Sequence, residues 1–231
     1  MKPASIKKIL ILVTILAVPG FLYYLLQDKG KNRYRPLPIF GEKTLSGTFH
    51  TRRGQKIPDT TYHTLRNLEL KNQAGNPVSL AGKEPKVVVA GLLYSRGGDP
   101  VALTAKALEG LNLIYERNPL IRFITLSVDP ADNPETLRTF GKKYKAAAGK
   151  WDLLSGDTAV VYPFIRRELL LDIVPKQDGQ GFVYSNKLVL IDTQRRIRGF
   201  YDAANPEEVA KLDDEIKVLV AETLRDVRDG R

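Results

Sequence analysis

The stretch VVVAGLLY, residues 87–94, constrains the fold more than any other part of this chain. It carries no charge and is rich in Val, the pattern of a strand buried on both faces. Such a strand belongs inside an α/β sheet, with helices packed above and below it. The run stops at a polar glycine-rich turn, Ser95-Arg96-Gly97-Gly98, and an amphipathic helix follows at once. Asp99 is a favoured N-cap, and Pro100 fits the first helical position, where its missing N–H costs nothing. Leu103, Ala107, Leu108, Leu111, Ile114 and Tyr115 are expected to share the apolar face of that helix.

Other segments extend the pattern. LELKNQAGNPVSL predicts a hairpin turning at Ala74-Gly75-Asn76-Pro77. IRFITLSVD (121–129) predicts a second buried strand, and Asn133-Pro134-Glu135 opens a helix through Tyr144. A short strand is expected at Trp151–Leu154 and a helix over Thr158–Leu171, whose start Pro163 blurs. NKLVLID and IRGFYD form a late hairpin around Thr193–Arg196, before a last helix from Asn205-Pro206 with Val209, Leu212, Ile216, Leu219 and Val220 as its stripe. Strands alternating with helices, closed by a hairpin, predict an α/β sandwich around a mixed sheet.

The N-terminus reads differently. Ile9–Leu26 is uncharged, and eighteen helical residues span about 27 Å, just enough for a bilayer core. A cleaved signal peptide is the rival reading, with Ile9–Val18 as its apolar core. Pro19 and Gly20 replace the small-x-small cleavage pattern, and Tyr23-Tyr24 suit a membrane interface, so residues 1–27 are expected to be a transmembrane anchor. Lysines and arginines flank both ends, so charge alone leaves the orientation open. Residues 28–60 read as a juxtamembrane linker and 61–231 as the folded domain.

Composition removes several function classes. The 231 residues include no Cys, which excludes disulfides, thiol redox chemistry and thiolate metal sites. The net charge of +10 comes from scattered pairs such as Arg52-Arg53 and Arg166-Arg167 without aromatic interleaving. That is a solvated basic surface suited to anionic lipid, not a nucleic-acid site.

VVVAGLLYS before a helix, then FITLSVDPADNPETL, WDLLSGD and KLVLIDTQRRIRGFYD, resemble the Sco/SenC family in that order. YHTLRNLELKNQAGNPV and DEIKVLV extend the resemblance from about Tyr62 to Val220. It implies a thioredoxin-like domain of a membrane-anchored copper chaperone for cytochrome c oxidase assembly. It also implies an N-terminus on the inner side of the cytoplasmic membrane and the domain on the periplasmic side. The family's copper and redox chemistry uses a Cys-x-x-x-Cys loop and a His before the late strand. In this sequence Arg96, Pro100 and Tyr184 are expected at those positions, so the resemblance implies a copper site without its ligands. A non-catalytic accessory role follows, with an oxidase subunit or an active Sco-like paralogue as partner.

A second reading keeps a task for the loop. Ser95, Arg96, Gly97 and Gly98 at a helix N-terminus could hold an anion or small ligand, as a binder or an enzyme. The carboxylate of Asp99 argues against it by occupying the same donors. G-x-x-x-x-G-K-[ST] is absent, Ser95 has no partner His in the motifs, and His50 and His63 lack metal-ligand spacing. Asp99, Asp129 and Asp132 make at most a weak oxygen-ligand set.

Overall fold

In the computed structural model, which describes residues 3–29, 36–52, 54–82, 86–176 and 181–228, the chain divides into two compact units, Met1–Pro36 and Leu37–Arg231. The first contains helix α1 (Pro3–Lys29). Its described side chains from Leu10 to Tyr24 are exposed. Among the described residues no helix is long and apolar enough to cross a membrane. The expected span Ile9–Leu26 lies partly outside them, because the side chains of Ile9, Leu25 and Leu26 are not among those described.

The second unit begins inside the segment read as linker. β1 (Lys43–Arg52) and β2 (Gln55–Tyr62) pair as an antiparallel ribbon with a bulge between Leu45 and Phe49. Leu45 and Phe49 stay exposed, so the ribbon has no buried face to impose an apolar alternation on its sequence. Upstream of it, Arg198 holds the carbonyls of Leu37 (2.8 Å) and Pro38 (3.2 Å), and Phe40 stacks edge-on against Phe200.

The domain then runs β3 (Glu69–Asn72), β4 (Pro77–Ser79), β5 (Val87–Leu93), α2 (Gly98–Tyr115), β6 (Ile121–Ser127), α3 (Pro134–Lys143) and β7 (Trp151–Ser155). α4 (Thr158–Arg167), β8 (Ile173–Pro175), β9 (Phe182–Tyr184), β10 (Lys187–Ile191), β11 (Ile197–Asp202) and α5 (Pro206–Arg228) follow. Seven strands form one mixed sheet in the order β11-β10-β5-β6-β7-β3-β4, with β5, β6 and β7 parallel and the outer strands antiparallel. β8 and β9 form a separate small ribbon.

β5 is buried along its whole length. Val87, Val89 and Leu93 enter a core shared with α2 and α5, whereas Val88, Ala90 and Leu92 enter one shared with α4. Period-two side-chain alternation thus supplies two opposite cores, and only a continuous apolar run satisfies both.

Local chemistry sets most boundaries. Asn133 caps α3 by accepting from the backbone N–H of Glu135 and Thr136, and the Thr136 hydroxyl returns the bond to the Asn133 N–H at 2.9 Å. α4 starts behind Asp157 and runs through Pro163, but ends at Arg167 rather than Leu171. Glu168 is drawn off to the backbone and guanidinium of Arg66 (2.9 and 2.7 Å), and Leu170 takes a left-handed φ of 55°.

α2 departs most from expectation. Its N-cap is Gly97, without a side-chain cap bond, so the helix starts at Gly98 and Asp99 lies in its first turn. Val101, Thr104, Ala105, Leu108, Leu111, Asn112 and Tyr115 are buried, whereas Leu103 is 50% and Ile114 63% exposed. The helix carries apolar residues around most of its circumference. The sheet selects which arc is covered, and the sequence stripe mixed residues from both arcs.

Candidate functional site

The loop after β5 is anchored by carboxylates from the loop after β6. Ser95 donates its backbone N–H (2.9 Å) and its hydroxyl (2.5 Å) to Asp132, which also accepts from the Ser127 hydroxyl at 2.5 Å. The Arg96 guanidinium meets Asp129 at 2.7 and 3.2 Å, an ion pair whose arginine side chain stays 70% exposed while the aspartate is buried. The bond to Asp129 and its charge push the guanidinium pKa up, so Arg96 is a permanent cation. Gly98 follows at φ +64°, a left-handed conformation that favours glycine.

Gly97 is at φ −79°, a conformation open to any residue, but it is crowded. A Cβ there would lie 2.0 Å from Cγ2 of Val101 and 3.0 Å from the Tyr94 ring. Gly97 and Val101 therefore face each other across the first helical turn. This is the i, i+4 pair that shares one point, whereas Pro100 is exposed on that turn and Arg96 is taken by Asp129.

Tyr94 is packed by two rings from the β8–β9 ribbon. Its centroid lies 5.3 Å from Phe182 and 5.9 Å from Tyr184, both edge to face. The Tyr184 hydroxyl is buried and has no hydrogen-bond partner among the described residues. Burial, and then the neighbouring Tyr94, push its pKa up, so it stays a neutral phenol.

The structure therefore divides the expected site residues. Ser95, Arg96 and Gly98 line a cleft of about 640 Å³ with Asp99, Thr136 and Phe140, and Tyr184 is not part of that lining. Tyr184 instead joins Tyr94 and, through it, Gly97. Sequence reasoning missed Tyr94, Val101 and Phe182. An available signal was the helical register: Val101 is the first buried residue of α2, four positions after Gly97.

The remaining candidates have structural partners. His63 Nε2 lies 2.9 Å from the Glu168 carbonyl, and the His50 side chain is outside the described residues. Asp99 does not cap the helix, so its expected competition for the loop's donors is replaced by that of Asp129 and Asp132. Among the described residues no three His, Cys, Asp or Glu side chains gather as a metal site.

Comparison with known proteins identifies relatives. A family model described as SCO1/SenC matches residues 58–220. No curated protein matches the chain. Among solved structures, a SCO1/SenC family lipoprotein from Bacillus anthracis str. Ames superposes with a TM-score of 0.62 at 22% identity, over 68% of this chain and 95% of that one. BsSco, described as a Sco-family cytochrome c oxidase assembly protein with a disulfide switch, gives 0.57 at 21% identity, over 68% and 93%. Bradyrhizobium japonicum ScoI with copper bound gives 0.54 at 22% identity, over 66% and 99%. At this identity the likeness establishes the shared thioredoxin-like α/β fold.

Proposed function

The chain belongs to the SCO1/SenC family, and from that premise we propose that it is a membrane-anchored member that has lost copper and thiol chemistry and acts by binding a protein during respiratory cytochrome c oxidase assembly. The observation that carries this reading is the aromatic packing of Tyr94, Phe182 and Tyr184 against a loop without a soft ligand. Copper needs thiolate or imidazole donors in such a fold. The i, i+4 pair here is Gly97 and Val101, and the third position is a neutral phenol, so the residues present do not fit the ion. No thiol remains for an oxidoreductase step either.

Binding has a physical basis at the same loop. Arg96 is fixed at one edge by Asp129 and otherwise exposed beside the cleft. A preorganised guanidinium presents donors to a partner at little entropic cost, the kind of anchor that recurs at interface hot spots. The uncharged segment Ile9–Leu26 supports an anchor in the cytoplasmic membrane, with the domain on the periplasmic side. The anion-site reading is disfavoured because the Ser95 N–H and hydroxyl already serve Asp132, and the Asp129 carboxylate beside Arg96 repels a second anion.

Crosslinking of the full chain in its native membranes tests the proposal. The protein should resist carbonate extraction, and an oxidase subunit or a cysteine-containing Sco-like paralogue should be captured. Arg96→Ala should lower that capture about tenfold or more, consistent with loss of an interface anchor worth about 2 kcal/mol. Capture of neither partner sinks the assembly role. Equal capture by Arg96→Ala moves the binding surface elsewhere on the domain.

A further inference from the structure

The outer face of α2 carries a self-complementary order of residues. Directly opposite the buried arc lie Asp99, Leu103, Lys106, Gly110 and Leu113, spaced four, three, four and three residues apart, and exposed Arg117 follows four residues later in the turn that leaves the helix. That is the spacing of a helix–helix seam. Leu103 and Leu113 are each 50% exposed, and nothing lies within 4 Å of where a Gly110 side chain would begin. Asp99 and Arg117, both exposed, make no ion pair among the described residues.

We infer that α2 docks against α2 of a second copy of this chain, antiparallel, in the register that places Leu103 against the other copy's Leu113. The seam is symmetric about residue 108. A two-fold axis there sets Asp99 opposite Arg117, Leu103 opposite Leu113, and Lys106 opposite Gly110. Opposite charges meet at both ends and leucines meet leucines inside them. The Lys106 stem crosses the other copy's glycine, where no side chain obstructs it, and its ammonium reaches water. An isologous contact requires this reciprocity, because each residue must suit its counterpart in both directions. A parallel pairing would set Asp99 against Asp99 and Arg117 against Arg117, which charge repulsion opposes.

The eighteen residues of α2 span about 27 Å, so the contact is a small one and a weak, reversible dimer follows. The pairing would bring Arg117 of the second copy to Asp99, at the mouth of the cleft that also holds Arg96. It does not depend on the proposed role in oxidase assembly, and its test is read without any oxidase.

The chain has no cysteine, so introduced thiols have no native competitor. Full-length Leu103→Cys and Leu113→Cys, carrying different tags, are co-expressed and oxidised in membranes. The mixed pair should form a disulfide at least tenfold more efficiently than either variant with itself, because in this register like positions lie about 15 Å apart along the axis. Asp99→Arg or Arg117→Asp, added to both tagged chains, should each lower the mixed yield, and both changes together should restore it. Unchanged melting temperatures confirm folding, and light scattering of the unsubstituted chain over a concentration series should show a dimer. Absence of the mixed disulfide, self-crosslinks of equal yield, or indifference to charge reversal overturns the inference.

Discussion

Tyr184 shows how one substitution changes the chemistry of a loop. At the position where the resemblance expects an imidazole, it places a ring that packs on Tyr94 and a hydroxyl buried without a partner. Leaving a buried polar group unsatisfied costs roughly 1–3 kcal/mol. Tyr184→Phe should therefore be neutral or raise stability by up to about 1 kcal/mol, read from the denaturant midpoint at an unchanged slope. A loss larger than that would reveal a hydroxyl partner. Deprotonation offers Tyr184 no route to metal binding, since burial raises its pKa and favours the neutral phenol.

The first turn of α2 decides which residues could ever hold an ion. Beginning the helix at Gly98 moves the converging pair from Arg96 and Pro100 to Gly97 and Val101. The triple variant Gly97→Cys, Val101→Cys, Tyr184→His should bind Cu(I) one to one in competition with a chelator. Arg96→Cys, Pro100→Cys, Tyr184→His should bind at least tenfold more weakly, because its thiols sit at the Asp129 pair and on an exposed turn. Removing Val101 also relieves the 2.0 Å approach that a Cβ at Gly97 would otherwise meet. Equal affinities would show that the loop rearranges around the metal and that helix register does not govern the site.

Across the whole sheet, one buried charge joins three strands. Asp152 on β7 is fully buried and accepts from Arg122 of β6 at 2.7 and 3.0 Å, Asn72 of β3 at 2.8 Å and the Gly149 backbone at 2.9 Å. Arg122→Met should cost about 3 kcal/mol or more by leaving that carboxylate without its cation, measured by chemical denaturation. Adding Asp152→Asn should recover part of the loss, as expected for residues coupled in one network. Full additivity of the two changes would show that Arg122 matters to the fold only through its packing.

Continuous apolar runs, capping residues and turn glycines are local properties, and they determined much of this protein in advance. VVVAGLLY could only be an interior strand, Asn133 capped α3, and Gly75 lies at φ +83° in the hairpin turn expected there. The ribbon of β1 and β2 stayed illegible because both its faces meet solvent and leave no period in the sequence. The inward arc of α2, the carboxylates that claim Ser95 and Arg96, and the packing of Tyr94 against Tyr184 depend on residues brought together from distant parts of the chain. Helical periodicity states that apolar residues share a face. When two faces qualify, only the sheet that needs covering chooses between them.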